Sequence, residues 1–351
     1  MLTRRPLRRL MFVMIEDKPE VGKKDVIRLS LKLSIEQKAS LAAMHGRDFI
    51  SLHDFTPVEI ADLLALAKLL KHHEPLPILK GKQLAMIFTK ASTRTRVSFE
   101  VGIRQLGGDA VVLLSGDTQI GRGEPIKDTA RVLSRYVDGI MIRTYDHQDV
   151  LDLARWASIP VINGLTDDLH PCQALADLLT IQEHKGHLTG LKMTYIGDGN
   201  NMATSLMFAG AKTGMHVTIC CPPGYEPSAA YLEQARGDAR GESRIEVVHD
   251  PQTAAEEADV LYTDVWASMG QEAERDSRAA AFAQYQINED LLRVAAEDCI
   301  VMHCLPAHRG EEITEEVIEG PHSVVFDQAE NRLHAQKAIL ATLMGHPEDF
   351  V

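Results

Sequence analysis

No stretch of this sequence approaches the roughly 20 consecutive apolar residues that a membrane-spanning helix needs. The apolar run at 10–15 is also too short for a secretory core. Positive charge is not in excess: 37 Lys+Arg face 50 Asp+Glu, a formal net charge of −13. A nucleic-acid surface would therefore need a local basic patch working against the whole-molecule field. Cysteine is sparse. The five residues Cys172, Cys220, Cys221, Cys299 and Cys304 are an odd number, which points to free thiols in a reducing compartment. No tandem repeat or low-complexity tract is visible. What remains is ordinary globular usage, 45% hydrophobic and 25% charged over 351 residues. That is enough for one large or two medium domains.

The first 47 residues stand apart, with eleven basic and five acidic side chains against 26 and 45 in the remainder. An Arg-rich opening suits an organelle-targeting peptide, but Glu16, Asp17, Glu20 and Asp25 spoil its acid-poor character. The simpler reading takes Met44 as the natural start and residues 1–46 as a disordered or dispensable extension. On that reading a chain beginning at Met44 keeps its activity, and the compartment is the cytoplasm.

From Arg47 the pattern becomes regular. Thr56-Pro57-Val58-Glu59 is a capping box with proline at the first helical position, and Ile60, Leu63, Leu64 and Ala67 follow at helical spacing. Short apolar runs then alternate with helical segments: 84–88, 109–114, 139–144 and 159–165, then 192–197, 216–221, 244–250, 259–265 and 299–305. Strands alternating with helices predict two doubly wound α/β domains, each a parallel sheet flanked by helices. The expected divisions are 47–185, 186–328 and a C-terminal helix at 329–351 that packs back on the first domain.

Ligands of open parallel sheets bind beyond the carboxyl ends of the strands, and polar residues cluster there. Ser92-Thr93-Arg94-Thr95-Arg96 lies between a strand and a helix. Hydroxyls, free N–H groups and arginines at a helix start suit a phosphate, although a helix cap with solvated arginines has the same composition. Arg143 ends another strand, where a rim salt bridge is the plainer explanation. His170 and Gln173 open a further helix, as a carbonyl-polarising pair or as local caps. Gly197-Asp198-Gly199-Asn200-Asn201 resembles a dinucleotide turn but lacks the third glycine of G-x-G-x-x-G. His170, Cys172, His303, Cys304 and His308 invite zinc, yet none has C-x₂-C or H-x₃-H spacing, so no metal is expected.

Taken together, Ser92–Arg96 followed by Ser98-Phe99-Glu100, the run His170-Pro171-Cys172-Gln173-Ala174-Leu175-Ala176-Asp177, and Arg143 resemble the motifs of the aspartate and ornithine carbamoyltransferases. Asp264-Val265-Trp266-Ala267-Ser268-Met269-Gly270 and His303-Cys304-Leu305-Pro306-Ala307-His308-Arg309 are similar to the ornithine branch. The resemblance implies carbamoyl transfer from carbamoyl phosphate to the δ-amine of L-ornithine, with no cofactor. It implies that Ser92, Thr93, Arg94 and Thr95 hold the phosphate, with Arg143 shared between phosphate and carbonyl oxygen, Arg332 reaching the carbamoyl phosphate of its own subunit and Gln119 that of a neighbour in a trimer. His170 and Arg94 would polarise the carbonyl, while Gln173 and the Cys304 and Leu305 carbonyls hold the carbamoyl NH₂. Asn201, Asp264, Ser268 and Met269 would receive ornithine, with Cys304 orienting it. Alternatives are another amine acceptor such as putrescine or an acylornithine, a nicotinamide-dependent dehydrogenase built on the Gly197–Asn201 turn, and a non-catalytic binding protein.

Overall fold

A computed structural model describes residues 33–114, 116, 123–267 and 274–346. Two all-parallel sheets organise them. The first holds β1 (Gln83–Phe88), β2 (Asp109–Leu114), β3 (Gly139–Arg143) and β4 (Val161–Leu165), in the order β2-β1-β3-β4. The second holds β5 (Lys192–Ile196), β6 (His216–Cys220), β7 (Ile245–Val248), β8 (Val260–Thr263) and β9 (Ile300–His303), in the order β7-β6-β5-β8-β9. Helices cover both faces, so β3 and β4 are buried at every residue and read as unbroken apolar runs. At the sheet edge, β2 has a mixed pattern and leaves Val111 and Leu114 exposed.

In each sheet the winding reverses once, between β1 and β3 and between β5 and β8. Such switch points open a crevice at the carboxyl ends of the strands. Two helices join the sheets. Pro171–Lys185 leaves the first sheet and stops at Gly186, whose φ of +79° suits a residue without a Cβ. Val325–Met344 leaves the second and packs against the first. One apolar core therefore runs through both halves, from Phe49, Phe88 and Leu175 to Met193, Tyr262 and Ile339.

Two expected boundaries move. The last helix begins at Val325, not 329, because the chain pairs with β9 just beforehand. The N–H of Val301 donates to His322 O at 2.8 Å, and that of Val324 to Val301 O at 3.0 Å. The N-terminal extension also gives way to folded chain well before residue 46. Ser34 caps the helix Ile35–Ala43 in a reciprocal box with Gln37, and Leu41 and Met44 are fully buried. A leucine buried in this way contributes about 1.5–3 kcal/mol. Residues 1–32 of the extension, and Gln119, Ser268 and Met269, lie outside the described residues.

Candidate active site

The two switch points face each other across a cavity of about 620 Å³. Its lining includes Ser92, Thr93, Arg94, Thr95, Arg143, His170, Asn201, Asp264, Cys304, Leu305 and Arg332, all singled out from the sequence. One wall begins where β1 ends. Ser92 caps the helix Thr93–Gln105, its Oγ accepting the Thr95 N–H at 3.1 Å. The first N–H groups of such a helix have no intrahelical acceptor and, with the helix dipole, favour an anion. Phe88 and Arg143 are register partners on adjacent strands, which brings Arg143 beside this helix start. Arg143 Nη1 lies 3.5 Å from Thr95 Oγ1, and Arg332 Nη2 lies 3.1 Å from the same oxygen.

Arg94, Arg143 and Arg332 have no carboxylate within ion-pair distance among the described residues, and Nε of both Arg143 and Arg332 is buried without a hydrogen bond. Burial, and then the charges of Arg332 and Arg94, push the Arg143 guanidinium down to about 10. Arg332 is lowered chiefly by burial. His170 is also pushed well below its usual range by burial and by Arg332, Arg143, Lys90 and Arg94, so it is neutral at pH 7. A neutral imidazole can donate a hydrogen bond to a carbonyl oxygen without adding charge.

The opposite wall is bonded within itself. Asp264, just beyond β8, accepts from Asn200 Nδ2 at 3.0 Å, from the Val265 N–H at 2.8 Å and from the Cys304 thiol at 3.0 Å. Burial and the Asp264 charge raise the Cys304 thiol well above its usual range. It is therefore a hydrogen-bond donor rather than a thiolate nucleophile. Leu305, at φ +58°, accepts from Arg94 Nη2 at 2.7 Å and so ties the two walls together. His303 sits fully inside, with Nδ1 accepting the Leu305 N–H at 2.8 Å and Nε2 donating to Glu312 at 3.0 Å. Asp264, His303 and Cys304 offer ligand atoms within 4.8 Å of one another, but both His303 nitrogens are already committed.

Two residues behave differently from their sequence reading. Gln173 is buried beneath the cavity and does not line it: Oε1 accepts from Arg332 Nη1 at 2.7 Å and Nε2 donates to Asp177 at 2.8 Å. Asn201 lines the cavity, but its Nδ2 already donates to the Thr166 carbonyl at 2.5 Å. Cys172 lies in the core, its thiol pushed up to about 12 by burial. Lys90 is the functional candidate that sequence reasoning left out. Its Nζ pairs with Asp167 at 2.8 Å at the cavity edge, where the lysine is 4% exposed; its place in the sequence just before Ser92–Arg96 is the one signal that could have found it. His308 and Glu311 also line the cavity mouth.

The Gly197–Asn201 turn is filled by the chain's own backbone. Gly199 N–H donates to Tyr225 O at 2.9 Å, and a Cβ at Gly199 would sit 2.3 Å from Pro227 N. The close approach that a pyrophosphate would use is thus taken, which removes the structural basis of the dehydrogenase reading.

Known proteins give the same picture. Residues 47–183 match the family described as "Aspartate/ornithine carbamoyltransferase, carbamoyl-P binding domain", and residues 189–343 match its "Asp/Orn binding domain". The chain is 59% identical to the ornithine carbamoyltransferase of Symbiobacterium thermophilum over 313 residues, 87% of this chain and 100% of that one. It is 60% identical to that of Anoxybacillus flavithermus, covering 86% and 98%. The solved ornithine carbamoyltransferase of Pyrococcus furiosus superposes with a TM-score of 0.83 at 56% identity, covering 86% of this chain and 98% of that one. With matched domains meeting at this cavity and relatives aligned along nearly their whole length, the chain belongs to the aspartate/ornithine carbamoyltransferase family.

Proposed function

We propose that the protein transfers the carbamoyl group of carbamoyl phosphate to the δ-amine of L-ornithine, giving L-citrulline and phosphate. The observation that carries this reading is the convergence of Arg94, Arg143 and Arg332 on a cavity wall without carboxylate partners, opposite a wall presenting Asp264. Buried cations without counter-ions are costly to a fold, and an anionic phosphate offsets that cost. The helix start at Ser92–Thr95 with the three arginines would grip the phosphate oxygens. His170 and Arg94 would stabilise negative charge growing on the carbamoyl oxygen, at about 3–4 kcal/mol per well-placed donor. In the reaction the amine nitrogen bonds to the carbamoyl carbon, the carbon–oxygen bond to phosphate breaks, and the amine proton passes to the departing phosphate.

An alkyl amine with the lysine reference value of about 10.4 is mostly protonated at neutral pH. Arginines beside the reacting end favour the neutral, nucleophilic form. Asp264 would receive the α-ammonium group, with Cys304 and Asn201 beside it. By resemblance to the ornithine branch, Ser268 and Met269 would add contacts to the acceptor. The direction we favour is arginine biosynthesis, since the Pyrococcus furiosus relative is named anabolic. Five free thiols fit a reducing cytoplasm. A homotrimer, with Gln119 entering a neighbouring phosphate site, is supported by apolar side chains left exposed on β2 and the adjoining helix: Val97, Val101, Val111 and Leu114.

Citrulline formation from carbamoyl phosphate tests the reading, with L-ornithine, putrescine, N-acetylornithine and aspartate compared and the assembly mass measured by light scattering. Turnover with L-ornithine alone is expected. Preferred use of another amine would overturn the acceptor assignment, and no turnover with any of them would overturn the reaction.

A further inference from the structure

Asp177 lies beneath both walls of the cavity and touches neither substrate space. It is fully buried, and it joins three elements. On its own helix Gln173, one turn earlier, donates to Oδ1 at 2.8 Å. From the last helix Gln328 donates to the same oxygen at 2.8 Å, and from β8 the Tyr262 hydroxyl donates to Oδ2 at 3.1 Å. The second hydrogen on Gln328 Nε2 goes to the Tyr262 oxygen at 2.9 Å.

A carboxylate only accepts, so both glutamines must turn their NH₂ groups toward it and their carbonyl oxygens away. Those oxygens meet donors that shape the site. Gln173 Oε1 takes Arg332 Nη1 at 2.7 Å, and Gln328 Oε1 takes the His303 backbone N–H at 2.9 Å. The spacing repeats on two helices: Gln173 and Asp177 on one face Arg332 and Gln328 on the other, each pair four residues apart.

We propose that Asp177 is a positioning residue that sets the amide orientation of Gln173 and Gln328 and thereby holds Arg332 on the phosphate side and the His303–Pro306 segment on the other. Burial raises its carboxyl to about 7 against these donors and the Arg332 charge. When the carboxyl is protonated, a proton on Oδ2 faces the Tyr262 hydroxyl and Oδ1 still accepts from both glutamines, so the acceptor geometry is kept in either state. A freely flipping Gln173 would present NH₂ to a guanidinium, and Arg332 would lose the contact that aims it.

The inference rests on the carbamoyl-transfer reading, and the experiment separates the two. Wild-type enzyme, Asp177→Leu and Asp177→Asn are compared for thermal unfolding, kcat and the KM for each substrate. Asn keeps one oxygen where both glutamines donate, and its NH₂ faces a hydroxyl that can accept. Leu keeps the volume and removes the acceptor. With an active, folded set, Asp177→Leu is expected to raise KM for carbamoyl phosphate by about thirtyfold, and Asp177→Asn to return it to within about threefold of wild type. Wild-type kinetics in Asp177→Leu, or equal damage in the two variants, would overturn the proposal. Should Asp177→Leu fail to fold, Gln328→Met decides. It removes the arm to His303 together with the Gln328 bonds to Asp177 and Tyr262, and leaves the Asp177–Gln173–Arg332 arm in place. It is expected to lower kcat by about tenfold with KM for carbamoyl phosphate held within about twofold, and an unchanged kcat would overturn the proposal. A wild type inactive with every amine would instead sink the transfer reading itself.

Discussion

Arg94, Arg143 and Arg332 face the cleft with no carboxylate in ion-pair reach among the described residues, whereas Asp264 opposite them already accepts hydrogen bonds from Asn200, Val265 and Cys304. The cationic wall stores unfavourable electrostatics that a phosphate relieves. The acidic wall is satisfied and must exchange internal bonds for those of its ligand. One wall is thus strained toward function at the expense of stability, and the other is stable until a substrate competes. The difference predicts that equal insults to the two walls will have unequal signatures.

The largest effect is expected from Arg143→Met. Losing a bidentate donor should cut kcat/KM for carbamoyl phosphate by about a thousandfold. Because burial and two like charges oppose the Arg143 charge, the variant should melt no lower than wild type. A large fall in Tm would remove the strain argument. Asp264→Asn should give the mirror result: kcat/KM for ornithine falls about a hundredfold, with inorganic phosphate binding unchanged by calorimetry. Weakened phosphate binding would mean that the walls are not separable.

His170 gives a smaller, pH-dependent test. Its folded pKa lies below the unfolded value of about 6.5. Below pH 6.5 the unfolded chain therefore binds a proton that the folded chain refuses. Stability falls as pH drops, by at most about 1.4 kcal/mol per pH unit. Urea unfolding at pH 5 and 7.5 should show that His170→Asn flattens this slope; an unaltered slope would mean that the imidazole is charged in the fold. The mildest effect concerns a region remote from both walls. Starting the chain at Met44 deletes the helix that buries Leu41, and Tm should fall by about 2–4 °C for each kcal/mol lost. Turnover per folded site should hold, and an unchanged Tm would restore the view that the whole extension is dispensable.

Much of the site could be read from the sequence because its residues stand at strand ends, where hydrophobic alternation stops and polar clusters begin. Ser92–Arg96, Arg143 and Asp264 are of this kind. Depth was harder to read. Gln173 follows His170 by three residues, yet helix geometry turns it under the cavity toward Arg332 while His170 lines it. The burial of Lys90 depends on Asp167, 77 residues away, and no local pattern reports such a partner. The second glycine of the Gly197–Asn201 turn marks close approach by residues 225–227, not by a ligand. A small residue shows that something comes near without saying what. The start of the last helix carries no separate signal in the sequence, because strand-like pairing at 322–324 borders it directly.

The returning helix Val325–Met344 has a consequence for how the protein is made. Arg332 belongs to the first wall, yet translation reaches it only after every strand of both sheets has been synthesised. A nascent chain can build the first sheet and its helix start early, but it cannot assemble a complete anion site until the last segment leaves the ribosome.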